Sequence, residues 1–567
     1  VCAPTRCCLL TGKHSGHTSI RVNGGGTPLR ADEPTIASIL KPLGYATGGF
    51  GKWGCGGRDS TGVPEKHGFD TFLGYYDQVH AHSYFPPYLI RNSEEVTLAG
   101  NHGGSQGQTY SQYVIHEAAM KFIRENGSSG RSFFAYLPYT PPHGNFDIPD
   151  SDPTWAIYKD KPWSEPARRY AAMVGMVDRQ VGEVLTLLKE LNIDQNTLVL
   201  FSGDNGGADY FVSREFPRGV HSANRNPQTG VEYRGQKGNL YEGGLRIPFV
   251  AHWPGKIAAG SVSDHLGYFP DVLPTIAELT GAKVPSDIDG LSLVPTLLGE
   301  QAAGRAQPQH EYLYWELGAW TAIRQGDWRA VRSKPNATWE LYNVATDPGE
   351  SNNLATSNPQ ILSKLESLAE KAHSPAVEGT FSRTDRHERD RRAKTGQHDN
   401  LDAPDPLTGK KKQTAKAAVM PTKGLLSQKE WTLVRFSSEN SGNAKLAANA
   451  IDGDPSTWWH SRFSGEPALP PHELVIDLGA ERTIRGFVYL ARQDNGWNGA
   501  IKDVEFAISS SPDKFEETVL KTQFEKSKKP QSVECPPARG RYVLMRATSE
   551  HSNSTFASCA ELGIIGE

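Results

Sequence analysis

From residue 35 to residue 280 the chain alternates between short apolar runs and amphipathic stretches, and no other feature constrains its fold as much. Residues 45–50, 132–137, 197–201 and 247–253 are apolar runs of strand length. Between them, residues 109–126, 165–191 and 269–279 carry apolar positions at helical spacing. In the longest of these, Met173, Val174, Val177, Val181, Val184, Leu185 and Leu188 form one stripe, which reads as core. Strand, helix, strand in repetition predicts an α/β domain, doubly wound around a mostly parallel sheet, over residues 1–300. Residues 301–375 change texture: 311–316 and 328–332 alternate at period two and 361–372 read as a helix, which predicts a small antiparallel subdomain. Apolar content collapses over 376–428, where charge runs such as His387–Arg392 and Lys410–Lys412 predict an exposed extension and linker. Residues 429–567 have short strands and frequent turns, the pattern of a β-sandwich.

Composition excludes several classes. Among 567 residues, 22% are charged and 37% hydrophobic, which is ordinary for a globular protein. No apolar run approaches the roughly 20 residues of a membrane helix. A formal charge of −4 argues against an extended nucleic-acid surface. Six cysteines in so long a chain are not a disulfide framework, so the redox compartment stays open.

Residues 2–13 read Cys-Ala-Pro-Thr-Arg-Cys-Cys-Leu-Leu-Thr-Gly-Lys. Pro4 suits the first turn of a helix, and Leu9 and Leu10 suit its buried side. A group at a helix N-terminus sits where backbone N–H groups favour an anion. The stretch resembles the signature of the formylglycine-dependent sulfatases at every defined position. The resemblance implies that Cys2 is oxidised to formylglycine by a formylglycine-generating or other sulfatase-maturing enzyme. Its hydrated aldehyde would attack sulfur with one oxygen and expel sulfate with the other. Arg6, one turn on, would hold the modified residue. The fold implied is alkaline-phosphatase-like.

Other stretches continue the resemblance. Gly51-Lys52-Trp53-Gly54 is similar to the family's G-K-W-H element, which implies a sulfate contact for Lys52 and leaves Gly54 where a histidine usually stands. His80 and His82, at i and i+2 on a segment read as extended, are candidates for a substitute base, His82 first. His143 follows a buried strand, and the resemblance implies that it faces the leaving oxygen. Ser202-Gly203-Asp204-Asn205-Gly206 resembles the S-D-N-G loop, whose Asp204 and Asn205 offer the hard oxygen ligands that Ca²⁺ prefers. Residues 234–248 match the R-G-x-K…E-G-G-x-R-[VI]-P signature, which implies that Lys237 binds sulfate and aids departure of the alcohol. Residues 208–233 read as a substrate-specificity loop. Residues 340–350 resemble an element of the sulfatase C-terminal subdomain. The chain opens on Val1-Cys2, and sulfatases normally carry an earlier strand ending in a calcium-ligating Asp-Asp pair, so a longer protein with an export signal is expected.

Residues 448–459 and 474–479 resemble discoidin-like, galactose-binding-type domains. Trp497, Arg492 and His460 are its candidates for sugar contact, an aromatic face beside forks of donors. The expectation is a secreted or periplasmic sulfatase acting on a sulfated glycan with Ca²⁺ and formylglycine, and with no nucleic-acid partner. The alternatives are a carbohydrate-binding protein with an impaired catalytic domain, and a phosphate or phosphonate ester hydrolase on the same fold.

Overall fold

The computed structural model describes residues 1–23, 27–208, 210–211, 224–226, 228–401, 420–421, 424–440, 445–455, 457–462, 468–493, 497–551 and 554–567. Residues 209, 212–223 and 227 of the expected specificity loop, and the Lys410–Lys412 run, lie outside the described residues. The chain divides into two compact units, Val1–Gly409 and Lys410–Glu567.

The first unit is built around a five-stranded mixed sheet, in the order β4-β3-β2-β1-β5. Its strands are β1 (Ala46–Lys52), β2 (Thr71–Tyr75), β3 (Tyr88–Arg91), β4 (Glu94–Thr97) and β5 (Phe133–Tyr136). β1 runs parallel to both β2 and β5, while β3 and β4 form an antiparallel hairpin at the edge. β6 (Val199–Ser202) and β7 (Phe249–His252) pair antiparallel in a sheet of their own. One face of the five-stranded sheet is covered by the helices Ser111–Ser128 and Glu165–Glu190, through Ile115, Ala119, Phe122, Val184 and Leu188. On the other face, α1 (Cys2–Thr11) places Ala3, Cys7 and Leu10 against Trp53, Phe69 and Phe72.

α1 has no side-chain cap of its own, and Asn23 Oδ1 accepts the Ala3 N–H at 3.0 Å instead. Gly12 ends the helix at φ +72°, a left-handed conformation that glycine adopts without cost. The turn that follows is clamped by Asp289, which accepts the His14 backbone N–H at 2.9 Å and lies 2.8 Å from His17 Nδ1. His14 Nδ1 accepts the Gly16 N–H at 3.1 Å, which puts the neutral ring's proton on Nε2. The three side chains together clamp the turn, with their ligand atoms within 4.8 Å of one another.

β8 (Leu313–Leu317), β9 (Trp320–Gln325), β10 (Trp328–Arg332) and β11 (Glu340–Asn343) form an antiparallel sheet, backed by the helix Pro359–Lys371 through Leu365, Leu368 and Ala369. The stretch after it departs from the reading of an exposed extension starting at 376. Asp385–Ala393 is a helix, and its Asp390 is fully buried in the first unit. Arg58 holds that carboxylate through Nε at 2.9 Å and Nη2 at 2.6 Å, and the Tyr88 hydroxyl donates to it at 3.0 Å. Ion pairs rather than apolar side chains anchor the segment, so a search for apolar periodicity passes over it. Removing one partner of such a buried pair typically costs about 3–5 kcal/mol.

The second unit is antiparallel throughout its main sheet, in the order β12-β14-β17-β15-β16 with β19 on β14. The strands are β12 (Thr432–Phe436), β13 (Trp459–His460), β14 (His472–Leu490), β15 (Asp503–Ser509), β16 (Thr518–Gln523), β17 (Gln531–Ala547), β18 (Ser558–Cys559) and β19 (Glu561–Gly566). β13 and β18 make a small second sheet. Register slips in β14 near Asp477–Arg482 and Ile484–Gly486 let two long strands bend around one core. That core holds Trp459, Phe487, Tyr489, Phe506, Met545 and Ile564. Because the unit has its own core, residues 410–567 expressed alone are expected to melt in one cooperative transition, and a broad, non-cooperative melt by calorimetry would contradict this. Among the described residues no helix is long and apolar enough to cross a membrane.

Candidate active site

The site gathers where α1 begins and where β1, β5 and β6 end. Cys2 opens α1 and is 3% exposed. Arg6, one turn on, donates from Nη1 to the Lys52 carbonyl at 2.7 Å and from Nη2 to Asp204 at 3.2 Å. It thereby ties α1 to the end of β1 and to the loop after β6. Lys52 is 1% exposed, and its Nζ lies 3.3 Å from His82 Nε2. The His82 ring stacks on that of His143, with centroids 4.2 Å apart and planes at 6°. Tyr84 donates to the His143 carbonyl at 2.8 Å, and Asn145 donates to the His82 carbonyl at 3.0 Å, so both backbones are held. Lys237 is half-buried, and its backbone N–H donates to the Gly207 carbonyl at 2.8 Å beside the Asp204–Asn205 loop.

The electrostatics are those of an anion site. Burial would push the Cys2 thiol up, but Lys52, with Lys237 and Arg6, overrides it and holds the thiol below its ordinary range. Lys52 is itself pushed down, by burial first and then by Arg6 and Lys237. His82 is lowered to about 2 by burial, by Lys52 and by His143, and His143 to about 4 by burial, Lys237 and Lys52. Both rings are therefore neutral near pH 7. His143 Nδ1 lies 2.7 Å from the Gly144 carbonyl, so it carries the proton and Nε2 is the free lone pair. Burial raises the Asp204 carboxyl, yet the surrounding cations, Arg6 foremost, keep it below the usual carboxylate range. An anion entering here meets Arg6 and Lys52, already desolvated by the fold, and half-buried Lys237.

Asp204 and Asn205 also fit a hard cation. Asn205 donates from Nδ2 to the Gly206 carbonyl at 2.8 Å, which leaves Oδ1 buried without a hydrogen-bond partner beside an ionised carboxylate. An orphaned amide oxygen next to a carboxylate offers two of the roughly six to eight oxygen ligands that a hard cation such as Ca²⁺ takes.

Two of the candidate residues do not reach a site. Residues 80–82 form a single 3₁₀ turn, not an extended segment, so His80 and His82 point apart. His80 is fully buried between Tyr75 and Tyr88, with Nε2 3.1 Å from the Tyr88 carbonyl, and is a core histidine. His460 sits on β13 at 1% exposure with Nδ1 2.7 Å from the Ser461 carbonyl, and is no open sugar contact. Trp497 and Arg492 remain half-buried at the surface. Lys528 lies 4.1 Å from the Trp497 ring, and Arg492 lies 5.1 Å from the Trp458 ring while Nη1 donates to the Asn498 carbonyl at 3.0 Å.

Residues 1–282 match the sulfatase family, and residues 235–374 match the family described as N-sulphoglucosamine sulphohydrolase, C-terminal. The chain belongs to the sulfatase family. It is an enzyme of the sulfatase type, a sulfuric ester hydrolase. Residues 434–562 match the F5/8 type C domain, a discoidin-like β-sandwich. The N-acetylgalactosamine-6-sulfatase of Canis lupus familiaris is 28% identical over 393 residues, which cover 64% of this chain and 68% of that protein. Arylsulfatase A of Homo sapiens is 28% identical over 423 residues, covering 65% and 77%. Among solved structures, Ps i-CgsB in complex with k-i-k-neocarrahexaose is 26% identical with a TM-score of 0.52, covering 65% of this chain and 81% of that one. The sulfatase PsFucS1 of Pseudoalteromonas sp., 23% identical with a TM-score of 0.51, covers 66% and 81% and shares the fold.

Proposed function

We propose that this sulfatase hydrolyses sulfate esters of a sulfated polysaccharide or oligosaccharide, with residue 2 as formylglycine and with Ca²⁺. The observation that carries the reading is the buried Cys2 at the start of α1, set among Lys52, Lys237 and Arg6 with Asp204 opposite. The relatives' names support the substrate class: one is a sulfatase of N-acetylgalactosamine 6-sulfate, and one solved neighbour holds a neocarrahexaose.

When residue 2 is formylglycine, its hydrated aldehyde supplies a diol oxygen as the nucleophile toward sulfur. Asp204 and Asn205 would hold Ca²⁺ in part, and the ion would supply Lewis-acid polarisation there. Arg6, Lys52 and Lys237 offset the charge on the sulfuryl group. His82, against Lys52, takes up a proton from the diol. His143 delivers one to the departing alcohol from Nε2. The single negative charge of the bound sulfate ester offsets part of the charge of Lys52 and Lys237, which raises the basicity of both rings and lets His143 Nε2 take up the proton it delivers. Because Cys2 is buried in the folded chain, the maturing enzyme must act before α1 docks. Trp497 and Arg492 make the C-terminal unit the carbohydrate-holding part, which raises the local concentration of a polymeric substrate. Such polymers are met outside the cytoplasm, so the reading carries export with it.

A general acid must be protonated to act, so kcat is expected to fall as pH rises through the pKa of His143 in the substrate complex. His143→Gln is expected to flatten that limb and to slow release of a poor alkyl leaving group about 10²–10⁴-fold. An aryl leaving group that departs as a stable phenolate should lose far less. Equal losses for both leaving groups would remove His143 from the acid role. The overall reading is tested by assaying matched aryl sulfate and aryl phosphate esters, then defined sulfated monosaccharides, with released anion measured. Preference for phosphate would favour the phosphohydrolase alternative.

A further inference from the structure

We propose that Gln78 is a positioning residue for the oxygens that residue 2 carries once converted, an assignment that rests on the sulfatase reading above. Gln78 lies in the loop after β2 and is 4% exposed. Neither its Nε2 nor its Oε1 has a hydrogen-bond partner among the described residues. The backbone that carries it is fixed, because Asp77 Oδ1 accepts the N–H groups of Val79 at 2.7 Å and His80 at 3.1 Å. The amide is thus held in a buried place without being held by anything polar.

Its location gives the amide a purpose. Gly54 has φ +79°, and a Cβ built on it would fall 1.9 Å from Gln78 Nε2 and 3.7 Å from Ala3 Cβ. The Gln78 side chain therefore fills the space that a side chain at position 54 would need. That space lies between the end of β1 and the first turn of α1. Ala3 follows Cys2 directly, and Lys52, two residues before Gly54, acts electrostatically on Cys2. Nothing in the packing asks for a polar group here. The neighbours Ala3, Trp53 and Tyr76 belong to an apolar cluster.

A buried amide that no protein group satisfies is costly, and an apolar side chain of the same shape would be more stable in its place. Its place beside the space that borders Ala3, the residue next to residue 2, points to a partner present in the working enzyme. A primary amide offers donors and an acceptor together. That suits a hydroxyl, which also does both, and the hydrated form of a converted residue 2 presents hydroxyls. Lys52 and Arg6 already supply charge on this side. Gln78 adds direction without charge, orienting one oxygen toward sulfur.

The test uses Gln78→Met, which keeps volume and removes both polar atoms, and Gln78→Glu, which keeps shape. Full-length protein is co-expressed with a formylglycine-generating enzyme, and conversion at residue 2 is quantified by mass spectrometry. Gln78→Met is expected to have a Tm at or above wild type, unchanged conversion, and a kcat on an aryl sulfate lower by about 10²-fold. KM should stay near wild type. For Gln78→Glu, the ratio of its kcat to that of wild type is expected to rise as pH falls, because the protonated carboxyl again both donates and accepts. Wild-type kcat in Gln78→Met overturns the assignment, whatever its Tm. So does a variant that is both less stable and less active, with a Gln78→Glu ratio that is flat in pH, since that is a packing role. Fully converted wild-type protein that releases no sulfate overturns the sulfatase reading itself, and this assignment with it.

Discussion

Cys2→Ala protein, matured and assayed beside wild type, is expected to release sulfate at least about 10⁴-fold more slowly, because the nucleophile is removed outright. No neighbour can replace it. Lys52, Lys237 and Arg6 are cations, and the other two cysteines of α1, Cys7 and Cys8, are buried with thiols pushed up by burial. The fold should survive, since alanine fits the space of a cysteine 3% exposed at the start of a helix. An unchanged Tm with abolished turnover is the expected pair of results. Residual turnover within tenfold of wild type would move the nucleophile elsewhere.

His82→Ala carries the second largest expected effect, a loss of about 10²–10⁴ in kcat, the usual worth of a general base. The ring is 3.3 Å from Lys52 Nζ and stacked on His143, so it is bound into the site on both sides. Burial first, then Lys52 and His143, hold it near pKa 2 without an anion present. A bound sulfate ester offsets part of the positive charge around the ring, so the base is stronger when substrate is there. His82→Ala should therefore depress kcat much more than it raises KM. His80→Ala should leave kcat on an aryl sulfate near wild type and instead lower Tm, since His80 is packed between Tyr75 and Tyr88. Retention of full turnover by His82→Ala would end its role as a base.

Local features were legible in the sequence, and features made by distant residues were not. The strands that end near the site are continuous apolar runs, and their motifs sit within a few residues of those ends. Cys2, Arg6, Lys52, His143, Asp204 and Lys237 could be named from motifs that resemble those of sulfatases, and the structure brings them to one place. The 3₁₀ turn at residues 80–82 was not legible, because two histidines at i and i+2 look the same on a strand and on a turn. Gln78 gave no signal, since its relation to Gly54 exists only after β1 and β2 pair. A run of Gly-Lys-Trp-Gly followed at a distance by a polar residue next to Asp77 could have prompted the question of what fills a glycine's side-chain space. The helix at residues 385–393 was hidden for a different reason. Its burial rests on Arg58 and Asp390, which are far apart in sequence, and charge reads as solvent until its partner is known. β6 and β7 pair antiparallel although each looks like a strand of a parallel α/β sheet, because a short apolar run reads the same whichever way its partner runs.

The most direct measurement compares turnover with the state of residue 2. Preparations made with increasing amounts of a formylglycine-generating enzyme are assayed for sulfate release, and the fraction of residue 2 present as the aldehyde is read by mass spectrometry. Specific activity is expected to rise in proportion to that fraction, on a line through the origin. Full activity in protein whose Cys2 is still a thiol would contradict the account.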